Sequence, residues 1–292
     1  MFDPAQLRAL AAVLSSGSFE AAARMLNVTP SAVSQRIKAL EEQAGTALVL
    51  RGQPARATPT GARMARHAED MALLDQALAH DLGLGGGGWP RLKIAVNADS
   101  LATWFPAAMA ALPDVLFDLE IDDQDHSAEW LRRGAVQAAV TGDSRALPGC
   151  DPHPLGALRY VATAAPAFAA RWFAQGLTPA AFAAAPALEF NRKDRLQRDW
   201  VQALTGQAID LPCHRIGSST AFVEAAERGI GWGMNPECLV QPAIAAGRLV
   251  VLAPGRPLDV SLFWQVTRLP GGALRPLTGA VKAAARAVLR PV

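Results

Sequence analysis

The chain has 292 residues, 51% of them apolar, and a formal charge of only +2, so it is long enough for two or three compact units, each able to bury a core. No apolar run approaches the roughly 18 residues of a membrane span, and Asp3 in MFDPAQLRAL is the wrong sign for a secretory leader, so a cytoplasmic protein with no membrane partner is expected. Cys150, Cys213 and Cys238 are odd in number and widely spaced, which reads as buried free thiols rather than a disulfide framework or a metal site.

The charge is unevenly distributed. Residues 1–66 hold eight Arg and Lys against four acids, a net of +4, and leave the rest at −2. A small basic head on a faintly acidic body suits nucleic-acid binding at one end, although basic patches are also ordinary solvated surface.

Three helices share one start signal, a polar cap followed by proline at the first helical position: Asp3-Pro4, Thr29-Pro30 and Thr58-Pro59. A fourth starts after Ser18. The first places Leu7, Leu10, Ala11 and Leu14 on one face and ends at Gly17. The second carries Phe19, Ala22, Ala23 and Leu26 and stops near Asn27. The third buries Val33, Ile37, Leu40 and Ala44 and ends at Gly45, which completes a compact tri-helical unit.

On the opposite face of that third helix stand Ser31, Ser34, Gln35 and Lys38, concentrated in its N-terminal half. Such side chains read base edges or reach phosphate when a helix enters the major groove, and they equally suit a polar surface. The segment LVLRGQPARATPTG favours the first reading. It predicts a β-hairpin wing that holds Arg51 and Arg56 beside a nucleic-acid backbone. Residues 58–82 then form a helix longer than a small domain needs. Its stripe of Met64, Ala68, Met71, Leu74, Leu78 and Leu82 suits pairing with a second chain or packing on the protein's own body.

SGSFEAAARMLNVTPSAVSQRIKALEEQAGTALVLR and the following Thr-Pro-Thr-Gly resemble, over residues 2–82, the DNA-binding head of the LysR-type transcriptional regulators. IAVNADSLATWF, LRRGAVQAAVT, LGALRYVATAAPAF and PCHRIGSSTAFV further resemble the ArgP/LysG-like branch that senses basic amino acids. The resemblance implies an α/β chain. A winged helix-turn-helix spans 1–57, and a dimerisation helix with a glycine-rich linker spans 58–90. An effector domain follows, like a periplasmic binding protein, with lobe I at 91–162 and 268–292 and lobe II at 163–267. It also implies lysine or arginine as effector, no other cofactor, and control of amino-acid export or uptake genes. The partners it implies are a double-stranded DNA operator, a second copy pairing again into a homotetramer, and RNA polymerase at the promoter.

In the body, LGLGGGGWP is a flexible linker, and from Arg91 strands and helices alternate. LKIAV is a strand, 100–112 a helix, VLFDLEI a strand, 128–133 a helix and VQAAVT a strand, which argues for a parallel sheet wrapped by helices. Ligand then belongs in the cleft at the strand ends. NADSLAT offers Asn97, Asp99 and Ser100 at a helix start near Asp99, and GSST offers Ser218 and Ser219 at another; Thr141 ends the strand VQAAVT. Helix-start amides with Ser100 suit an α-carboxylate. Asp123, with Asp99, suits an ammonium or guanidinium. Asp99 as a helix cap and Asp122 and Asp123 as loop acids remain alternatives. Trp104 and Trp130 read either as walls for an aliphatic stem or as core. The glycines of GIGWGM let backbone approach a ligand or a strand, and NRKDRLQRDW reads as a solvated helix start or a subunit contact.

No G-x-S-x-G elbow, phosphate loop, C-x-x-C or H-E-x-x-H occurs, and the five histidines (67, 80, 126, 153, 214) are scattered, so neither a catalytic nor a metal site is expected. Two other readings use the same head: a nucleoid-structuring protein, and a regulator of an acidic or aromatic effector.

Overall fold

The computed structural model describes residues 2–82, 89–122, 127–268 and 272–291. Packing divides the chain into two units, one holding residues 1–91 with the stretches 133–135 and 267–275, the other the remainder.

In the first unit, α1 (Pro4–Ser16), α2 (Phe19–Met25) and α3 (Pro30–Ala44) start where their caps place them. Asp3 Oδ1 accepts the Ala5 N–H at 2.7 Å, Ser18 Oγ that of Ala21 at 3.3 Å, and Thr29 Oγ1 that of Ala32 at 3.1 Å. Gly17 and Gly45 end α1 and α3 in the left-handed region. Leu7, Leu10, Val13, Ile37 and Leu40 are buried together. The α1 face is wider than its expected stripe, because Ala9, Ala12 and Val13 are also buried. The wing is a hairpin of β1 (Val49–Leu50) and β2 (Arg56–Ala57), paired Val49 to Ala57 and Leu50 to Arg56.

Helix α4 (Pro59–Asp81) divides the expected stripe in two. Ala65 and Ala68 are buried, and Met64 and Met71 pack on the tri-helical core, so this half covers the head itself. Leu74, Leu78 and Leu82 remain 44%, 59% and 61% exposed. The LGLGGGGWP linker lies mostly outside the described residues.

The second unit begins with β3 (Arg91–Val96), α5 (Ala98–Thr103), α6 (Phe105–Ala110), β4 (Leu116–Ile121), α7 (Ser127–Arg133) and β5 (Ala138–Thr141). The single helix expected at 100–112 is two helices: it starts earlier, at Ala98, and breaks at Trp104 because Pro106 cannot continue the hydrogen-bond ladder. Trp104 is fully buried with its ring 5.6 Å from Phe105, so it is core and not a ligand wall.

The chain continues through β6 (Cys150–Ala164), α8 (Pro166–Trp172), α9 (Pro179–Ala184), β7 (Ala187–Glu189), α10 (Leu196–Thr205), β8 (Cys213–Arg215), α11 (Ser219–Glu227), β9 (Gly233–Pro236) and α12 (Glu237–Ala245). It closes with β10 (Val250–Val251), β11 (Leu258–Thr267) and α13 (Arg275–Val288). One sheet runs β10-β6-β11-β5-β3-β4, with β9 also paired to β6. It is mixed rather than parallel: β3 and β5 run parallel, whereas β11 is antiparallel to β5 and β6 to β9. The long strands β6 and β11 serve both lobes, β6 pairing with β9 and β10 and β11 with β5.

Lobe II adds the parallel pair β7 and β8, bridged at Ala187 to Trp232. Phe173, Phe182, Trp200 and Trp232 fill the space beneath with ring centroids 5.2–6.5 Å apart. In GIGWGM, Gly231 and Gly233 serve packing. A Cβ on Gly231 would stand 2.9 Å from the Pro186 carbonyl oxygen, and one on Gly233 would stand 2.5 Å from the Phe222 ring. Of the three thiols expected to be buried, only Cys150 is; Cys213 is half-buried and Cys238 exposed, and none forms a disulfide.

Candidate functional site

Each unit carries a candidate site. In the head, the apolar stripe of α3 turns Ser31, Gln35 and Lys38 to solvent, while Ser34 is half-buried. Lys38 lies 3.8 Å from Glu42 one turn on, a solvated pair that leaves the ammonium available. Arg51 and Arg56 are both exposed on the wing, and the Arg51 guanidinium stands 5.6 Å over the Phe19 ring.

Glu41, a residue that sequence reasoning passed over, holds the two parts in register. Its Oε1 accepts the Leu48 and Val49 N–H groups at 2.8 and 3.2 Å, tying the solvent-facing helix to the first wing strand. Thr58 completes the frame: its hydroxyl donates to the Ala47 carbonyl at 2.9 Å and accepts the Gly61 N–H at 3.0 Å. The result is an exposed polar helix face flanked by two cations, which is suited to a nucleic-acid groove.

In the body, a cleft of ≈140 Å³ opens between the lobes. Lobe I contributes Asn97, Asp99 and Asp122; lobe II contributes Lys193, Asp199 and Ser219 among others. Four aspartates (99, 122, 194, 199) face it against two cations (Lys193, Arg195), so its walls favour a positively charged guest.

Asp99 is not the helix cap. Helix α5 is capped at Asn97, whose side chain makes no capping bond, and Asp99 sits in the first turn. Its Oδ2 accepts the Tyr160 hydroxyl and its Oδ1 the Ser219 hydroxyl, both at 2.7 Å. One carboxylate therefore joins lobe I, the strand β6 and the start of α11 in lobe II. Asp122 follows β4 on the same lobe as Asp99, where its Oδ2 accepts the Trp130 indole N–H at 3.0 Å. Trp130 accordingly orients an acid of the cleft and packs on the Ala95–Leu131 cluster. Asp123 lies outside the described residues.

Three expected residues stand apart from this wall. Ser100 is fully buried in the first turns of the helix that starts at Ala98, it is not among the residues that line the cleft, and its hydroxyl has no hydrogen-bond partner among the described residues. Thr141 is buried as well, donating to the Asp143 carbonyl at 3.2 Å and accepting from Gln265 at 3.4 Å. Ser218 caps α11 through the Ala221 N–H at 3.4 Å, which leaves Ser219 as the serine of that run that lines the cleft.

The main residues that sequence reasoning missed are in NRKDRLQRDW. This segment is not simply a solvated helix start, since Lys193, Asp194, Arg195, Leu196 and Asp199 all line the cleft. It follows β7, and the rule that ligands sit beyond the carboxyl ends of strands was the available signal. Behind it, Glu189 is fully buried and paired with Arg198 at 2.8 Å and Arg215 at 3.2 Å. Burial, reinforced by that carboxylate, pushes the Cys213 thiol up to about 12, so it stays a protonated packing group at neutral pH. Among the described residues no cluster of His, Cys, Asp and Glu is arranged to hold a metal, and no helix is long and apolar enough to cross a membrane.

Comparison with known proteins agrees with this division. Residues 4–62 match the bacterial regulatory helix-turn-helix family model of lysR type, and residues 86–289 match the LysR substrate binding domain. The chain is 47% identical over 289 residues to the HTH-type transcriptional regulator LysG of Mycobacterium tuberculosis, covering 99% of this chain and 95% of that one. The crystal structure of ArgP from Mycobacterium tuberculosis superposes with a TM-score of 0.87 at 45% identity, covering all of both chains. Full-length LysG from Corynebacterium glutamicum with bound effector Arg superposes with a TM-score of 0.74 at 37% identity, over 99% of this chain and 100% of that one.

Proposed function

Because this chain belongs to the LysR family of bacterial transcriptional regulators, we propose that its cleft senses lysine or arginine and thereby controls genes of amino-acid export or uptake. The observation that carries the reading is the acid-walled cleft, Asp99 and Asp122 on one lobe facing Asp199 on the other, in a chain similar to a LysG bound to arginine.

The assignment of groups follows from their placement. Asp122, with Asp123 beside it in sequence, takes the side-chain ammonium or guanidinium through charge-assisted hydrogen bonds. The α-carboxylate goes to the amide end of the 97–99 turn, and the α-ammonium to the Ser219 oxygen, whose own proton goes to Asp99. Asp99, already accepting two hydroxyls, orients Ser219 and holds the lobes at a defined separation.

The head binds double-stranded operator DNA. Gln35, Ser31 and Ser34 read base edges, with Lys38 at their flank, and Arg51 and Arg56 position the backbone. The exposed half of α4 pairs two chains, and dimers pair again, so that two heads occupy two half-sites near the site of RNA polymerase. Effector shifts the arrangement of heads only to the extent that it binds one lobe geometry better than the other.

The test is to select an operator from random duplexes with the full-length protein, then measure DNA bending and affinity with and without lysine or arginine. A change with either amino acid, and none with glutamate, supports the reading. A complex indifferent to both contradicts it.

A further inference from the structure

Lys193 lines the same cleft as the acids, and the ammonium it brings has the chemistry of the effector's own side chain. Its Nζ stands 3.7 Å from Asp122 Oδ1, an ion pair that runs from lobe II to lobe I. The other carboxylate oxygen is held by the Trp130 indole, which fixes the direction in which Asp122 presents its charge.

The loop that delivers Lys193 is built rather than loose. Asn191 Oδ1 accepts the Lys193 and Asp194 N–H groups at 2.7 and 3.2 Å. Asp194 is buried, and its two oxygens accept the N–H groups of Phe190 at 2.8 Å and Leu196 at 3.0 Å. Four backbone bonds from two side chains thus pin the residues on both sides of Lys193. The ammonium is held near the acid at high effective concentration, on a stem that can still swing away.

We infer that Lys193 is a tethered competitor for the cationic effector: its ammonium occupies Asp122, the effector's cation must displace it, and Lys193 thereby sets the effector concentration at which the cleft responds. This rests on the proposed sensing of basic amino acids and names the residue that tunes it. Displacement also exchanges a direct link between the lobes for one made through the ligand. Occupancy and lobe position are coupled in that way.

The experiment is calorimetric titration of the full-length protein with L-arginine at low salt, comparing the parent with Lys193→Gln, Lys193→Arg and Lys282→Gln. An exposed ion pair of this kind is worth about two- to fivefold in binding. Lys193→Gln should therefore bind arginine about two- to fivefold tighter, and the gain should shrink in 0.5 M salt, where the Debye length falls to about 4 Å. Lys193→Arg, which keeps the competitor, should match the parent, and so should Lys282→Gln on α13, which removes one charge elsewhere.

Unchanged or weaker binding by Lys193→Gln overturns the inference while leaving the sensing of arginine intact; weaker binding would mean that Lys193 holds the effector's carboxylate. A gain of equal size in Lys282→Gln overturns it too, as an effect of net charge. A parent protein that binds neither arginine nor lysine removes both the inference and the reading beneath it.

Discussion

Replacing Tyr160 by Phe removes one oxygen from the Asp99 junction and changes little else. The ring is 1% exposed and stays packed, so the loss is confined to a hydroxyl 2.7 Å from a carboxylate oxygen. A hydrogen bond to a charged group contributes about 1.5–3 kcal/mol. Asp99 borders the cleft, where water partly replaces the lost donor, so the lower half of that range applies. In a unit of some 200 residues, each kcal/mol moves the melting temperature by about 2–4 °C, which predicts a fall of about 3–9 °C. Ser219→Ala removes the second donor and should cost a similar amount, and the double variant less than the sum, because both act on one carboxylate. Scanning calorimetry of the full-length protein resolves these shifts. A Tyr160→Phe transition within 1 °C of the parent would refute the claim that Asp99 joins the lobes through these hydroxyls.

Other expectations follow from particular contacts. A Cβ at Gly61 would stand 1.9 Å from the Leu48 carbonyl oxygen, so Gly61→Ala should cost the head roughly 3 kcal/mol or more and abolish DNA binding in an anisotropy assay. Burial, opposed in part by Arg66, pushes the Asp70 carboxyl on α4 up to about 6. The folded state holds that proton more tightly than the unfolded chain, so stability falls as pH rises from about 4 to 6. Asp70→Asn should remove this slope and stabilise the head by about 1 kcal/mol at pH 7.5, after discounting for its partial exposure; urea unfolding at both pH values checks it. Leu78→Glu, on the exposed half of α4, should shift sedimentation towards monomer, whereas an unchanged oligomer would move the pairing surface elsewhere. Gln35→Ala should relax base preference in a binding-site selection, and Arg56→Ala should weaken binding to all sequences alike.

The head was legible in the sequence to within a residue or two, because its signals are local. Thr29-Pro30 and Gly45 each act over a single turn, and the spacing of Val33, Ile37 and Leu40 alone chose the buried side of α3. The body was legible in its alternation but not in its pairing. That β6 and β11 would run through both lobes depends on contacts a hundred residues apart, such as the Arg159 to Asp259 pair.

The cleft shows the same limit. Asn97, Asp99 and Ser219 could be placed at helix starts from sequence, yet in the helix that starts at Ala98 the Ser100 side chain is buried and off the cleft lining. Thr141 was read as a wall because it ends a strand, but Gln265 takes up its hydroxyl. The charged run at 191–200 looked solvated because charge usually is. Its role depends on two hydrogen-bonding side chains, Asn191 and Asp194, folding the run back over the strand end.

The central claim is that this protein is controlled by a basic amino acid, and its most direct test is the melting temperature of the full-length protein against each of the twenty amino acids, with citrulline as the uncharged likeness of arginine. A ligand bound only by the folded state at about a hundred times its dissociation constant adds about 2.7 kcal/mol, a shift of several degrees. The account predicts that shift with arginine or lysine and none with citrulline or glutamate. No shift with either basic amino acid, or an equal shift with citrulline, would contradict it.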